Sequence, residues 1–206
     1  MKIDKKYLRH FLMLIFSSLS LGVGCGLLII AGLGSDSMST LMEGISVVTK
    51  ISFSNVNLIL NLSILILAFL SGRNNVGLAS VLYPFFVSIG IGISTKLISG
   101  VDDLIFNIIL FMIGFILMVV AIGLNSKCEC GKNPYDALCF NLANIFKVKY
   151  SFIRTSIDLL MLIIGILLHG TYGIGTIVAA FMMGTVAGKL IIMLENSKTY
   201  RQYMMI

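Results

Sequence analysis

Long apolar runs broken by short polar stretches set the plan of this chain. Six runs stand out, at about 11–33, 54–70, 76–97, 104–124, 152–168 and 172–193. Each is about long enough to cross a hydrocarbon core of roughly 30 Å as an α-helix. Their residues are apolar all the way round the helix rather than on one stripe, which separates them from amphipathic surface helices. Between the first and second runs, and again between the fourth and fifth, lies a shorter amphipathic stretch, at about 37–49 and 134–146. The pattern predicts an all-α membrane protein, one transmembrane domain over residues 1–206, with six spanning helices and two short ones.

Composition supports this class. Hydrophobic residues make up 58% of the 206 positions, charged residues 12%, and mean hydropathy is +1.02. A soluble domain carries about 25% charged residues. A net charge of +6 then speaks of topology and anionic lipid rather than nucleic acid. The basic start, Lys2 to Arg9, leads into a run too long for a signal-peptide core and closed by no small-residue cleavage site. It reads as an uncleaved first span, although Cys25 after Val23-Gly24 faintly resembles a lipoprotein site.

Lysine and arginine give the orientation. With the N-terminus inside, only Lys50 and Lys96 of the 15 basic residues fall outside, leaving 13 on the inner face. Both termini are therefore expected in the cytosol. The sequence also repeats. Shifted by 97, Gly26 meets Gly123, Gly34 meets Gly131, Leu41 meets Leu138 and Lys50 meets Lys147. After one residue of slack, Gly77-Leu78-Ala79-Ser80 meets Gly173-Ile174-Gly175-Thr176, and Ser88-x-x-x-Gly92 meets Gly184-x-x-x-Gly188. Each half (about 11–97 and 104–193) holds three spans. An odd number forces the halves into opposite orientations, an arrangement that recurs in secondary transporters with sites at the repeat interface. The short stretches are then either re-entrant elements or helices lying flat at the interface. Non-helical backbone at depth is tolerated only inside protein or along a cavity.

Local chemistry concentrates at these stretches. Asn133 before Pro134 is a good N-cap and first-turn pair, with Asp136 in the first turn, where the helix dipole favours an acid. In the first half, Ser35 or Asp36 is placed to cap a helix entering at Ser37. Asn57 and Asn61 lie one turn apart, and the repeat shift maps them onto Arg154 and Asp158. Asp158 is roughly 10 Å into its span at 1.5 Å per residue. An ionised carboxylate there costs about 2.5–3.5 kcal/mol, so it calls for a partner. Arg154 is one turn away, and Asp136 lies on the same side of the membrane. The expected substrate-binding group is thus Asn57, Asn61, Asn133, Asp136, Arg154 and Asp158, with Gly34, Asp36, Gly131 and Pro134 shaping the two short elements. The alternative is a structural pair in which Arg154 reaches to headgroups and neutralises Asp158.

The run Gly131-Lys132-Asn133-Pro134-Tyr135-Asp136, followed by Arg154 and Gly173-Ile174-Gly175-Thr176, resembles the YczE/YitT family of bacterial integral membrane proteins over about residues 21–190. The resemblance implies a multi-pass protein of the bacterial cytoplasmic membrane, without an enzymatic role or an established substrate. The first half departs from the motif, with Ser37, Met38 and Ser39 where the second has Pro134, Tyr135 and Asp136.

Catalytic signatures are absent from the sequence: no Gly-x-Ser-x-Gly elbow, Walker loop or His-Glu-x-x-His. Cys128-Glu129-Cys130, with Cys139, offers part of a zinc site, but a reduced, inert pair suits the cytosolic face better. The twelve methionines read as packing or lipid-facing residues. No enzyme activity, cofactor or metal is expected. The leading expectation is a small-molecule transporter or carrier of unknown substrate, with ion coupling open. The alternative is a membrane interaction or scaffold protein that supports or regulates a partner enzyme or transporter. A substrate-capturing subunit of a vitamin importer has a similar span count but no such duplication. Besides the bilayer, the expected partners are a small molecule and either a second copy or a membrane protein.

Overall fold

The computed structural model describes residues 5–73, 75–98, 103–125 and 132–179, with 186, 189, 190 and 193. Among the described residues every regular element is a helix: α1 Lys5–Ala31, α2 Ser37–Thr49, α3 Phe53–Ser71, α4 Leu78–Leu97, α5 Leu104–Asn125, α6 Pro134–Phe146, α7 Tyr150–Leu167 and α8 Ile174–Val178. Among the described residues, five stretches are long and apolar enough to cross a membrane: Leu8–Ala31, Phe53–Ser71, Leu78–Leu97, Leu104–Asn125 and Tyr150–Leu167. The chain is an apolar membrane protein, all-helical among the described residues. The sixth expected span, 172–193, falls partly outside the described residues, at 180–185, 187–188 and 191–192, and α8 is its described beginning. Cys128, Cys130 and Gly131, and the Gly184–Gly188 spacing, also lie outside them.

The centre of the fold is α1, which packs along both α4 and α5. Small residues make this close approach possible. Gly24 and Gly114 face each other so tightly that a Cβ on either would stand 2.7 Å from the other's carbonyl oxygen. Across the α1–α4 contact a Cβ on Gly22 would run into the Val87 carbonyl and one on Gly90 into the Leu19 carbonyl, each 3.0 Å from the other glycine's Cα, and Gly26 lies against Ser94. The Gly22-x-x-x-Gly26 face is thus a backbone contact. On α4, however, Gly90 makes the contact. A Cβ at Gly92 would find only the Ser54 hydroxyl, at 3.6 Å, because Gly92 lies on a different side of the helix from Gly90. Leu27, Leu28, Met118 and Ile91 fill the core around these crossings.

The short helices pack crosswise between the halves of the chain. α2 lies on α7 and α6 lies on α3. Each is 13 residues long, and each ends at a lysine in the left-handed region, Lys50 at φ 59° and Lys147 at φ 54°. Asn141 of α6 donates through Nδ2 to the carbonyls of Ala68 (2.8 Å) and Gly72 (2.6 Å), satisfying the open C-terminus of α3. Asn75 donates to Asn141 Oδ1 at 2.8 Å. Glu43 of α2 does comparable work beyond α7, accepting from the Thr171 N–H at 2.9 Å and its hydroxyl at 2.6 Å.

Two loops are pinned in parallel fashion. Ser80 Oγ accepts from the Gly77 N–H at 3.1 Å and donates to the carbonyl of Lys132, just before α6. Thr176 Oγ1 accepts from the Gly173 N–H at 3.3 Å, and the Gly175 N–H donates at 2.8 Å to the carbonyl of Leu33, just before α2. Gly34, at φ 98°, turns the chain there, and a side chain at that position would run into Gly173 and Thr176.

Candidate functional site: a charged cluster where two helix N-termini meet

The N-terminus of α6 is built by its own sequence. Asn133 accepts from the Asp136 N–H through Oδ1 at 2.8 Å and returns its Nδ2 to Asp136 Oδ2, also at 2.8 Å. This reciprocal pair fills the role of a capping box, and Pro134 takes the first helical position, where its missing N–H costs nothing. Asp136 is thereby held facing α7. Its Oδ1 accepts from the Tyr150 hydroxyl at 2.6 Å and pairs with Arg154 Nη1. Arg154 Nη1 also donates to the Tyr150 hydroxyl at 2.6 Å. Tyr150 and Arg154 stand one turn apart, so the base of α7 presents both to the same carboxylate.

Asp158, one turn further on, receives two donors on one oxygen. The Tyr135 hydroxyl of α6 reaches Oδ1 at 2.7 Å and the Ser37 hydroxyl of α2 reaches it at 3.1 Å. Arg154 Nε lies 3.8 Å from the other oxygen. Arg154 therefore serves two acids, and its guanidinium also lies 5.2 Å from the centre of the Tyr135 ring. At the edge of the cluster, Lys132 stands over the Phe140 ring at 3.1 Å, and Phe140 stacks on Tyr150 at 4.1 Å. Partial burial pushes the Lys132 ammonium down, against the opposing pull of Asp136.

The N-terminus of α2 is different. Asp36 holds the N-cap position, but its side chain makes no cap hydrogen bond, contrary to the sequence expectation. Its Oδ1 has lost contact with solvent and has no hydrogen-bond partner. Ser35, the other expected cap, lies against the Thr40 hydroxyl at 3.4 Å instead. Burial pushes the Asp36 carboxyl up from the usual aspartate range, and Asp158 adds to that push, while Ser39 pulls the other way.

Of the expected residues, Asn133, Asp136, Arg154 and Asp158 come together. Asn57 and Asn61 do not complete that group. Both are buried, and their hydrogen bonds run elsewhere. Asn57 contacts Met42 Sδ at 3.3 Å and accepts from the Ser88 hydroxyl at 3.1 Å, and Asn61 donates to the carbonyl of Asn57 at 3.0 Å. The reason is packing: this face of α3 is covered by α2 and α4, not by α7. Ser37, Tyr135 and Tyr150 were absent from the expected group. Tyr150 carried a signal, one turn before Arg154; Ser37 carried none. A groove of about 490 Å³ between α3 and α4, lined by Leu65, Phe69, Leu78 and Val81 among others, lies away from the cluster and offers a solute no polar anchor.

Two bacterial proteins are similar along most of their length. An uncharacterized protein of Haemophilus influenzae is 27% identical over 173 residues, covering 84% of this chain and 79% of its own. The uncharacterized protein YyaS of Bacillus subtilis is 24% identical over 169 residues, 81% of this chain and 84% of its own. No solved structure matches. Residues 8–191, nearly all the chain and the whole charged cluster, match one family throughout, and the protein belongs to that family of unknown function, DUF6198.

Proposed function

We propose that this protein is a small-molecule carrier of the bacterial cytoplasmic membrane, with its substrate site where α2 and α6 meet α7. One observation carries the reading: a single oxygen of Asp158 accepts from Ser37 in the first half and Tyr135 in the second, 121 and 23 positions away. Helix N-termini brought together beside a charged pair are how discontinuous helices bind solutes and ions in secondary transporters. A charged group retained in so apolar a chain is costly, and such groups mark substrate or ion paths.

The carrier is built of two inverted halves, each of three spans and one short helix. Support for this comes from the crosswise packing of α2 on α7 and α6 on α3, the matched left-handed lysines, and the paired Gly77–Ser80 and Gly173–Thr176 bonds. The short helices are elements packed inside the bundle: Ser39, Thr40 and Met42 of α2 and Pro134, Tyr135 and Cys139 of α6 are buried. Both termini face the cytosol, in keeping with 13 of 15 basic residues on that side. Bacterial relatives and apolar spanning helices support the cytoplasmic membrane as its location.

The test is native mass spectrometry of the full chain released from mild detergent. A co-purifying small molecule that is lost in Asp158→Asn supports the carrier. A stoichiometric partner protein without any small molecule replaces it with an interaction protein. Topology is checked separately with Asn75→Cys and Val101→Cys in a cysteine-free background. An impermeant reagent added outside should modify position 101 and spare 75, and strong labelling at 75 removes the inverted arrangement.

A further inference from the structure

The cluster has more acid than base at its centre. Arg154 is shared between Asp136 and Asp158, and among the described residues no Lys, Arg or His forms an ion pair with Asp36. Asp36 is also the acid with a buried, unpartnered oxygen. A carboxylate oxygen withdrawn from water without a hydrogen bond is expensive, and a protein relieves that cost by neutralising the group. The N-terminus of α2 favours an anion through its dipole, yet the Asp36 side chain makes none of the cap bonds that would hold one in place.

We propose that Asp36 is a proton-binding site: its carboxylate takes up one proton, becoming the neutral acid, and releases it again as the coupling group of the carrier. A proton suits the place better than a metal ion. Among the described residues no three His, Cys, Asp or Glu side chains are placed to hold a metal. The hydroxyl beside it, Ser39, also lies 3.1 Å from Cys25 Sγ.

The groups that face Asp36 come from each neighbouring element. Asp158 of α7 acts on it directly, and Cys25 of α1 and Tyr83 of α4 are close enough to feel its charge. Glu43 acts on Cys25 from the same helix as Ser39, and Asp136 and Arg154 act on Tyr83. Protonation removes the repulsion between Asp36 and Asp158 and lets Ser37 rest on Asp158. Release of the proton places two carboxylates side by side and loosens α2 from α7. Proton binding would thus govern whether the two N-termini stay closed on their shared acid. The inference rests on the carrier reading for its role in coupling, but the site itself is tested without any substrate.

Infrared titration of the purified full chain in lipid nanodiscs reads the protonated-carboxyl stretch directly. The expected result is an aspartic acid band that persists above the ordinary aspartate pKa of about 3.9 and disappears in Asp36→Asn. In Asp158→Asn the band should remain, with its midpoint lowered by on the order of one pH unit, because a like charge has been removed. A wild-type protein without such a band, a band that survives Asp36→Asn, or a midpoint unmoved in Asp158→Asn each overturns the proposal. If Asp36→Asn fails to fold, carbon-13 aspartate labelling of the wild type and the Asp158→Asn midpoint decide the matter. A titrating Asp36 in a protein that holds no small molecule keeps the proton site and removes the carrier. A bound solute lost in Asp158→Asn, without the band, does the reverse.

Discussion

α2 and α6 are the same length, end in the same left-handed lysine and bring their N-termini to the same acid, yet those N-termini are finished differently. At α6, Asn133 closes a reciprocal bond with Asp136, and Asp136 has Tyr150 and Arg154 on its other oxygen. At α2, Asp36 caps nothing and keeps an orphan oxygen. One end is over-determined and the other under-determined. A satisfied polar network fixes geometry, whereas an incomplete one has a second state within reach. The difference assigns α6 to holding Arg154 and Asp158 in place, and α2 to responding.

The strongest way to break that division is to remove the α7 cation that α6 holds. Arg154→Gln leaves Asp136 and Asp158 without their shared cation. Removing one partner of a buried pair costs about 3–5 kcal/mol. Arg154 is 42% exposed, so solvent screens part of this, and a loss of about 1–3 kcal/mol is expected in thermal unfolding of the detergent-solubilised protein. Adding Asp158→Asn to the same chain should recover part of the loss. A full loss undiminished in the double variant would mean that the acid is not what Arg154 neutralises.

A smaller effect is expected at the caps. Asn133→Ala should cost about 1 kcal/mol, the usual value of an N-cap. Asp36→Asn should cost less or stabilise, since it removes a charge that burial already disfavours. The sign with pH follows from the raised Asp36 pKa. The wild-type chain should lose stability as pH rises from the unfolded aspartate pKa through the raised folded value, and Asp36→Asn should lack that slope. Equal losses for Asn133→Ala and Asp36→Asn would erase the contrast.

At their other ends the helices should behave alike. Lys50 and Lys147 hold φ values that favour glycine. Lys50→Gly and Lys147→Gly should each stabilise by up to about 1 kcal/mol, offset by the added freedom of the unfolded chain. A gain at one and a clear loss at the other would show that the lysine side chain matters there beyond its backbone.

Helix periodicity and length were enough to place α3, α4, α5 and both short helices within a few residues, because an apolar run has few other ways to satisfy its backbone in lipid. The Asn133–Pro134–Asp136 cap was legible because capping is local. The meeting of Asp136, Arg154 and Asp158 was legible because an acid deep in a span demands a base. The partner of the Asn57 and Asn61 face was not: spacing says that two side chains share a face, never which helix covers it. Nor does sequence show that Asp36, a good N-cap by type, makes no cap hydrogen bond, or that Ser37 crosses to Asp158.

The crosswise packing also bears on how the chain is made. α6 leaves the ribosome after α3, so Asn141 finds the carbonyls of Ala68 and Gly72 already in the membrane. α2 emerges long before α7, and Ser37 waits 121 residues for Asp158. During that interval Asp36 and Ser37 have no partner from α7, and the first half alone cannot close. Assembly is therefore ordered, with the second half completing the first. Two halves expressed as separate chains should each be labile and should recover only when made together.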